Sequence, residues 1–140
     1  MDKVQSTLKQ IVRDWSSAGA KERRDCYGKI LATLEKYFPD VEERNDKKVL
    51  VPGAGLGRLA YEIAKQGFSC QGSEFSLFML IASHFILNKC QCINGYTVYP
   101  FIHNFCNNVK ANDQLASVTF PDIDPSELSE DAGYVLKGES

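Results

Sequence analysis

The stretch KKVLVPGAGLGRLAYEIAKQGFSCQGSE, residues 47–74, decides how this chain folds. Lys47 to Val51 is a short β-branched run ended by Pro52, and the glycines of Gly53-Ala54-Gly55-Leu56-Gly57 follow at once. Leu59, Ala60, Ile63 and Ala64 then recur at helical spacing until Gly67, which predicts a helix with one apolar face. Phe68 to Gln71 is a second candidate strand, and Glu74 sits just beyond it. Strand, glycine turn, helix and strand in this order give an α/β fold class built on a parallel pair.

Working outward, Phe75 to Cys90 predicts a long, buried core helix; Ser76, Ser83 and His84 interrupt it, so it falls short of the roughly 20 apolar residues a bilayer span requires. Thr97-Val98-Tyr99, Val118-Thr119-Phe120 and Tyr134-Val135-Leu136 are further candidate strands in a weaker pattern, and Asp122 to Ser140 reads as acidic and loop-like. Upstream, Val4, Leu8, Ile11, Val12 and Trp15 mark an amphipathic helix closing by Gly19. Tyr27, Ile30, Leu31, Leu34 and Phe38 mark a second helix that stops at Pro39, and Asp40 to Asp46 reads as a charged loop.

A chain of 140 residues fits one core rather than two. Its net charge of −2, with no basic run, argues against a nucleic-acid or membrane-surface binder, because counterion release needs a concentrated basic face. Five cysteines, an odd number, without a signal peptide read as free thiols of a reducing compartment. Cys90 and Cys92 form C-x-C with no second pair, so no metal site is expected.

A strand that ends in a glycine turn exposes concave backbone, because glycine lets a ligand approach where a Cβ would stand. An acid at the end of the next strand, about 20 residues on, can accept hydrogen bonds from a ribose diol, and Glu74 has that spacing. The dinucleotide pattern G-x-G-x-x-G would require glycine at position 58, where this chain has Arg58. The observed G-x-G-x-G suits S-adenosylmethionine, which has no phosphate, better than a pyrophosphate on the helix terminus. An NAD-dependent oxidoreductase is the enzymatic rival.

VLVPGAGLGRLAYEIAKQGFSCQGSEFSLFML (residues 49–80), with STLKQIVRDW upstream and YPFIHNFCNN and FPDIDP downstream, closely resembles the carnosine N-methyltransferase family in the same order. The resemblance implies a Rossmann-like methyltransferase fold, here its N-terminal half only, preceded by two helices. It divides the chain into an N-terminal helical segment, 1–46, and a partial S-adenosylmethionine-binding domain, 47–140. It implies S-adenosylmethionine as cofactor and methyl transfer to the imidazole of carnosine, giving anserine, with other His-containing peptides as further substrates. A homodimer and a cytoplasmic or nuclear location go with it.

Carried over residue by residue, Gly53, Gly55 and Gly57 match the donor loop, Glu74 the ribose-binding acid, and Gln10 and Arg13 two positions that reach the donor from the N-terminal helix. Arg58 is open between the donor carboxylate and a surface role. His84 reads as a core or boundary residue, and His103 as either a pocket-lining or a packing residue, so no catalytic residue is assigned. The resemblance fades after Pro125. The substrate half is therefore expected to be missing, the 140 residues to be inactive on carnosine and prone to associate, and a non-catalytic donor-binding or interaction fragment is the other rival.

Overall fold

In the computed structural model, which describes residues 2–100, 116–128 and 134–138, the apolar period of the first residues folds as α1 (Asp2–Trp15). Ile11 and Trp15 are buried on its inner face while Val4 stays exposed. A tight 3-10 turn, Ser17–Gly19, leads into α2 (Ala20–Tyr37). A Cβ at Gly19 would collide with the carbonyl oxygens of Val12 and Arg13, so glycine is what lets the two helices meet so closely.

The segment read as a charged loop is a 3-10 helix, Val41–Asp46, capped by Asp40, whose side chain accepts from Glu42 N. Arg44 corrects that reading. It is buried, donates to the carbonyls of Phe38 and Gln66 at 2.8 and 3.0 Å, and lies over the Phe68 ring. A guanidinium with both ends paired can be buried where a lysine could not.

β1 (Lys48–Pro52), α3 (Arg58–Lys65) and β2 (Ser69–Glu74) follow as the sequence implies, and β1 and β2 pair in parallel from Lys48↔Ser69 to Pro52↔Ser73. Glu74 is the last residue of β2 rather than just beyond it. β5 (Tyr134–Gly138) joins the other edge of β2, also parallel, so the described sheet has the order β1-β2-β5 and takes in the candidate strand expected at Tyr134-Val135-Leu136. β3 (Tyr96–Val98) and β4 (Val118–Phe120) form a separate antiparallel pair. The mixed helix and strand order with a small parallel sheet is compatible with an α/β fold.

The core has two parts among the described residues. Ala60, Ile63, Ala64, Phe68 and Cys70 pack beneath Leu31 and Leu34 of α2 and Phe38 just after it, against Val49 and Val51 of β1. Ile11, Trp15, Leu56, Tyr61, Ile86, Cys90 and Phe120 gather around the other end of α3. α4 (Leu77–Lys89) starts at Ser76, whose hydroxyl accepts from Met79 N. The expectation of a buried core helix is corrected there. Only Ser83 and Ile86 are buried, whereas Leu77, Phe78, Ile81 and Phe85 are exposed, because α4 rests on α1 and on residues 125–127 along one face. His84 is exposed rather than a core residue, with Asn88 Nδ2 at 2.9 Å from its Nδ1. His103, Cys106 and most of the YPFIHNFCNN segment lie outside the described residues. No described helix is long and apolar enough to cross a membrane.

Candidate functional site at the glycine turn

The turn between β1 and α3 lies where parallel strands end, the place at which open α/β sheets bind ligands. Gly53, Gly55 and Gly57 all have positive φ, at 62, 58 and 79°, so side chains with a Cβ would strain every second residue of the turn. A Cβ at Gly53 would meet open space, and one at Gly55 would meet only Gln10 Nε2 at 3.5 Å. The glycines therefore serve the backbone path and leave its outer side clear.

Glu74 ties this turn to the next element. Its Oε2 accepts from Gly55 N at 2.6 Å, and its Oε1 accepts from Phe75 N at 2.9 Å and Ser76 N at 3.0 Å. Ala54 N donates to Ser73 O at 2.8 Å, so both strand ends are fixed to the turn. A carboxylate has about four lone-pair sites, and three backbone donors leave about one for a ligand hydroxyl.

α1 forms the back of the site. Trp15 is fully buried, and its Nε1 donates to Leu56 O in the turn at 3.1 Å. Gln10 lies beside Gly55, as the distance above requires, and its Nε2 donates to Asp14 Oδ2 at 2.8 Å. Arg13 is turned toward α2: its Nε donates to Asp14 Oδ1 at 3.1 Å and its Nη2 to Tyr27 Oη at 3.3 Å. Burial opposes the charge on Arg13, but Asp14 outweighs it and holds the guanidinium above its ordinary value. The structure thus brings Gln10, the three glycines and Glu74 together and sets Arg13 one helical turn along, joined to Gln10 through Asp14.

Arg58 has neither of the roles its position left open. It is buried, donates to both carboxylate oxygens of Asp122 at 2.6 and 3.2 Å, to Glu62 at 2.9 Å and to Asp14 O at 2.9 Å, and covers the Trp15 ring. Arg23 shares Asp122, with its Nη2 at 2.8 Å, and donates to the carbonyls of Arg13 and Ser16. Asp122 N in turn donates to Trp15 O, which fastens the FPDIDP segment behind the turn. Burial pulls Arg23 below its ordinary value despite Asp122, whereas on Arg58 the contacts to Asp122 and Glu62 outweigh burial and raise it.

Sequence reading missed Asp14, Trp15, Tyr27 and Asp122 as members of this assembly. The only signal was Asp14 standing four residues after Gln10, on the same helix face. Two thiols are excluded as nucleophiles: burial pushes Cys70 and Cys90 up to about 11, so both stay protonated at neutral pH.

A family model described as carnosine N-methyltransferase matches residues 1–135. Carnosine N-methyltransferase of Mus musculus is 51% identical over 139 residues, covering 97% of this chain and 34% of that protein. The carnosine N-methyltransferase of Schizosaccharomyces pombe is 53% identical over 128 residues, covering 91% and 34%. Carnosine N-methyltransferase unmet of Drosophila melanogaster is 54% identical over 124 residues, covering 88% and 27%. The chain spans about a quarter to a third of the length of these relatives.

Proposed function

This chain belongs to the carnosine N-methyltransferase family, and from that premise we propose that residues 47–140 form the S-adenosylmethionine-binding part of a Rossmann-like methyltransferase fold, with residues 1–46 as the helical segment that backs it. The activity proposed for the whole protein is methyl transfer to the imidazole of carnosine, giving anserine. The observation that carries this reading is the Glu74 carboxylate bonded to Gly55 N across a glycine turn whose outer side is open.

The residues present fit such a donor. Where a Cβ at Gly53 would stand there is free space for a ligand against the backbone, and Glu74 keeps an acceptor site for a ribose hydroxyl. Gln10 closes the turn from α1, and Arg13 supplies a cation for the carboxylate of the donor's amino-acid end. When bound, S-adenosylmethionine supplies an electrophilic methyl carbon on sulfonium. The chain's own contribution is to hold and orient, which in such reactions provides much of the rate.

Calorimetric titration of S-adenosylhomocysteine into the chain tests this. The chain is expected to bind it in preference to NAD, and Glu74→Ala to weaken binding by about tenfold or more, as loss of a charge-assisted hydrogen bond of about 1.5–3 kcal/mol implies. Preferential binding of NAD would sink the reading, and unchanged affinity in Glu74→Ala would remove Glu74 from the site. Residues 1–140 alone are expected to bind the donor without converting carnosine. Appearance of anserine from this chain would show that the donor-binding part carries the substrate residues as well.

A further inference from the structure

Asp14 is 1% exposed, and burying a carboxylate is costly unless donors surround it. Its side-chain donors are Gln10 Nε2 at 2.8 Å, Arg13 Nε at 3.1 Å and Tyr27 Oη at 3.1 Å. Two of the three are the α1 residues proposed above to meet the donor. A carboxylate only accepts, so it takes the amide nitrogen of Gln10 rather than the oxygen and settles which way that amide faces. One N–H of Gln10 is used in this way, and the other remains on a nitrogen 3.5 Å from where a Gly55 Cβ would stand.

Arg13 is treated alike. Its side chain is 39% exposed, and a long side chain with that freedom loses entropy when a ligand immobilises it. Asp14 holds it at Nε and Tyr27 at Nη2, 3.3 Å away, before any ligand arrives. Tyr27 comes from α2 and closes the set by donating its own proton to Asp14. The carbonyl of Asp14 separately accepts from Arg58, so the main chain at this point is fixed independently of the carboxylate.

We propose that Asp14, supported by Tyr27, is a positioning residue that presets Gln10 and Arg13 for the amino-acid end of the methyl donor, an inference that rests on the donor-site reading of the glycine turn. Asp14 itself touches no ligand. It acts through two side chains that do, and it links α2 to the site.

Two probes separate this role from a general effect on the fold: S-adenosylhomocysteine, and 5′-methylthioadenosine, which has the nucleoside but lacks the amino-acid end. Affinities for both are measured by calorimetry on the chain, its Asp14→Asn and Tyr27→Phe variants, and Asp14→Asn placed on Gln10→Ala, Arg13→Ala. Asp14→Asn turns an amide donor toward existing donors, and is expected to weaken S-adenosylhomocysteine by about tenfold with methylthioadenosine unchanged. Tyr27→Phe is expected to weaken it by about threefold with the same selectivity. On the double-alanine background Asp14→Asn should have no further effect, since the residues it acts through are gone.

Equal weakening of both probes would show that the substitutions merely loosen the turn, and unchanged affinity for both would show that the network is structural alone. Either overturns the proposal while wild-type binding keeps the donor-site reading intact. Failure of the wild type to bind either probe overturns the donor-site reading and this inference with it. Should Asp14→Asn not fold by circular dichroism, the half-buried Tyr27→Phe position decides by the same selectivity.

Discussion

The two faces of the parallel sheet are finished very differently. On one face Val49 and Val51 of β1, paired with Cys70 and Gly72 of β2, lie under α3 and α2. On the other, Leu50 is 61% exposed and its partner Gln71 is exposed as well, and no described element covers them. Strand side chains alternate, so one β-branched run supplies both faces, and parallel sheets are ordinarily covered on both. Apolar character alone therefore does not place a residue inside. The covered face is closed by helices held with buried ion pairs, whereas α4, the most apolar helix, keeps Leu77, Phe78, Ile81 and Phe85 exposed. The strand edge behaves likewise, since β1 has a partner on one side only among the described residues.

The covered face is most sensitive at Asp122. Asp122→Ala leaves Arg23 and Arg58 buried without their shared carboxylate and is expected to cost about 3–5 kcal/mol, read as a fall in thermal midpoint and a loosened Trp15 environment by fluorescence. Within α4 itself the two sides differ as much. Ile86→Ala, at a fully buried position, should cost about 2–5 kcal/mol in denaturant unfolding, while Ile81→Ala, 62% exposed one helical turn and a half away, should stay within about 0.5 kcal/mol. Equal costs would mean that the exposed face of α4 is covered in solution.

A smaller effect is expected at the turn. Gly55→Val forces a β-branched residue to a φ of 58° and toward Gln10, at about 1–3 kcal/mol of stability, and is expected to abolish detectable S-adenosylhomocysteine binding while circular dichroism stays native. Retained binding would mean that the turn only connects β1 to α3.

The smallest effect is at high pH, on the covered side. Burial, then Asp14, pushes Tyr27 up to about 12. The folded phenol keeps its proton to higher pH than the unfolded one, so its contribution is complete below about pH 10 and is lost as pH rises through about 12. Allowing for partial exposure, about 1 kcal/mol should disappear across that window, and Tyr27→Phe should flatten the decline in denaturant midpoint. A residual slope is expected from Tyr61, which burial also raises.

Local patterns made much of this molecule readable from sequence. The glycine turn between two strands, the helix ends at Pro39 and Gly67, and the three short strands after Cys90 follow from backbone chemistry that operates over a few residues. Motif spacing singled out Gly53, Gly55, Gly57 and Glu74, and only the family resemblance added Gln10 and Arg13; the structure sets Gln10 and Glu74 against Gly55 at the end of β1 and turns Arg13 toward α2. What a charged residue meets across the fold was not legible. Arg58 was open between ligand and surface, Arg44 and Asp122 read as loop charges, and Asp14 had no reading at all, because each has a partner on another element, 13 residues away for Asp14, 22 for Arg44, 64 for Arg58 and 99 for Asp122.

Apolar α4 shows the same limit from the opposite side. Its composition dictates a helix, but whether that helix is covered depends on which surfaces the rest of the chain brings to it. The sequence by itself determined the order of elements, the turn and the residue types at the site, since these depend on dihedral preference and spacing. Tertiary structure alone decided which charges became buried partners and which apolar faces stayed open, since desolvation and pairing exist only once distant segments meet.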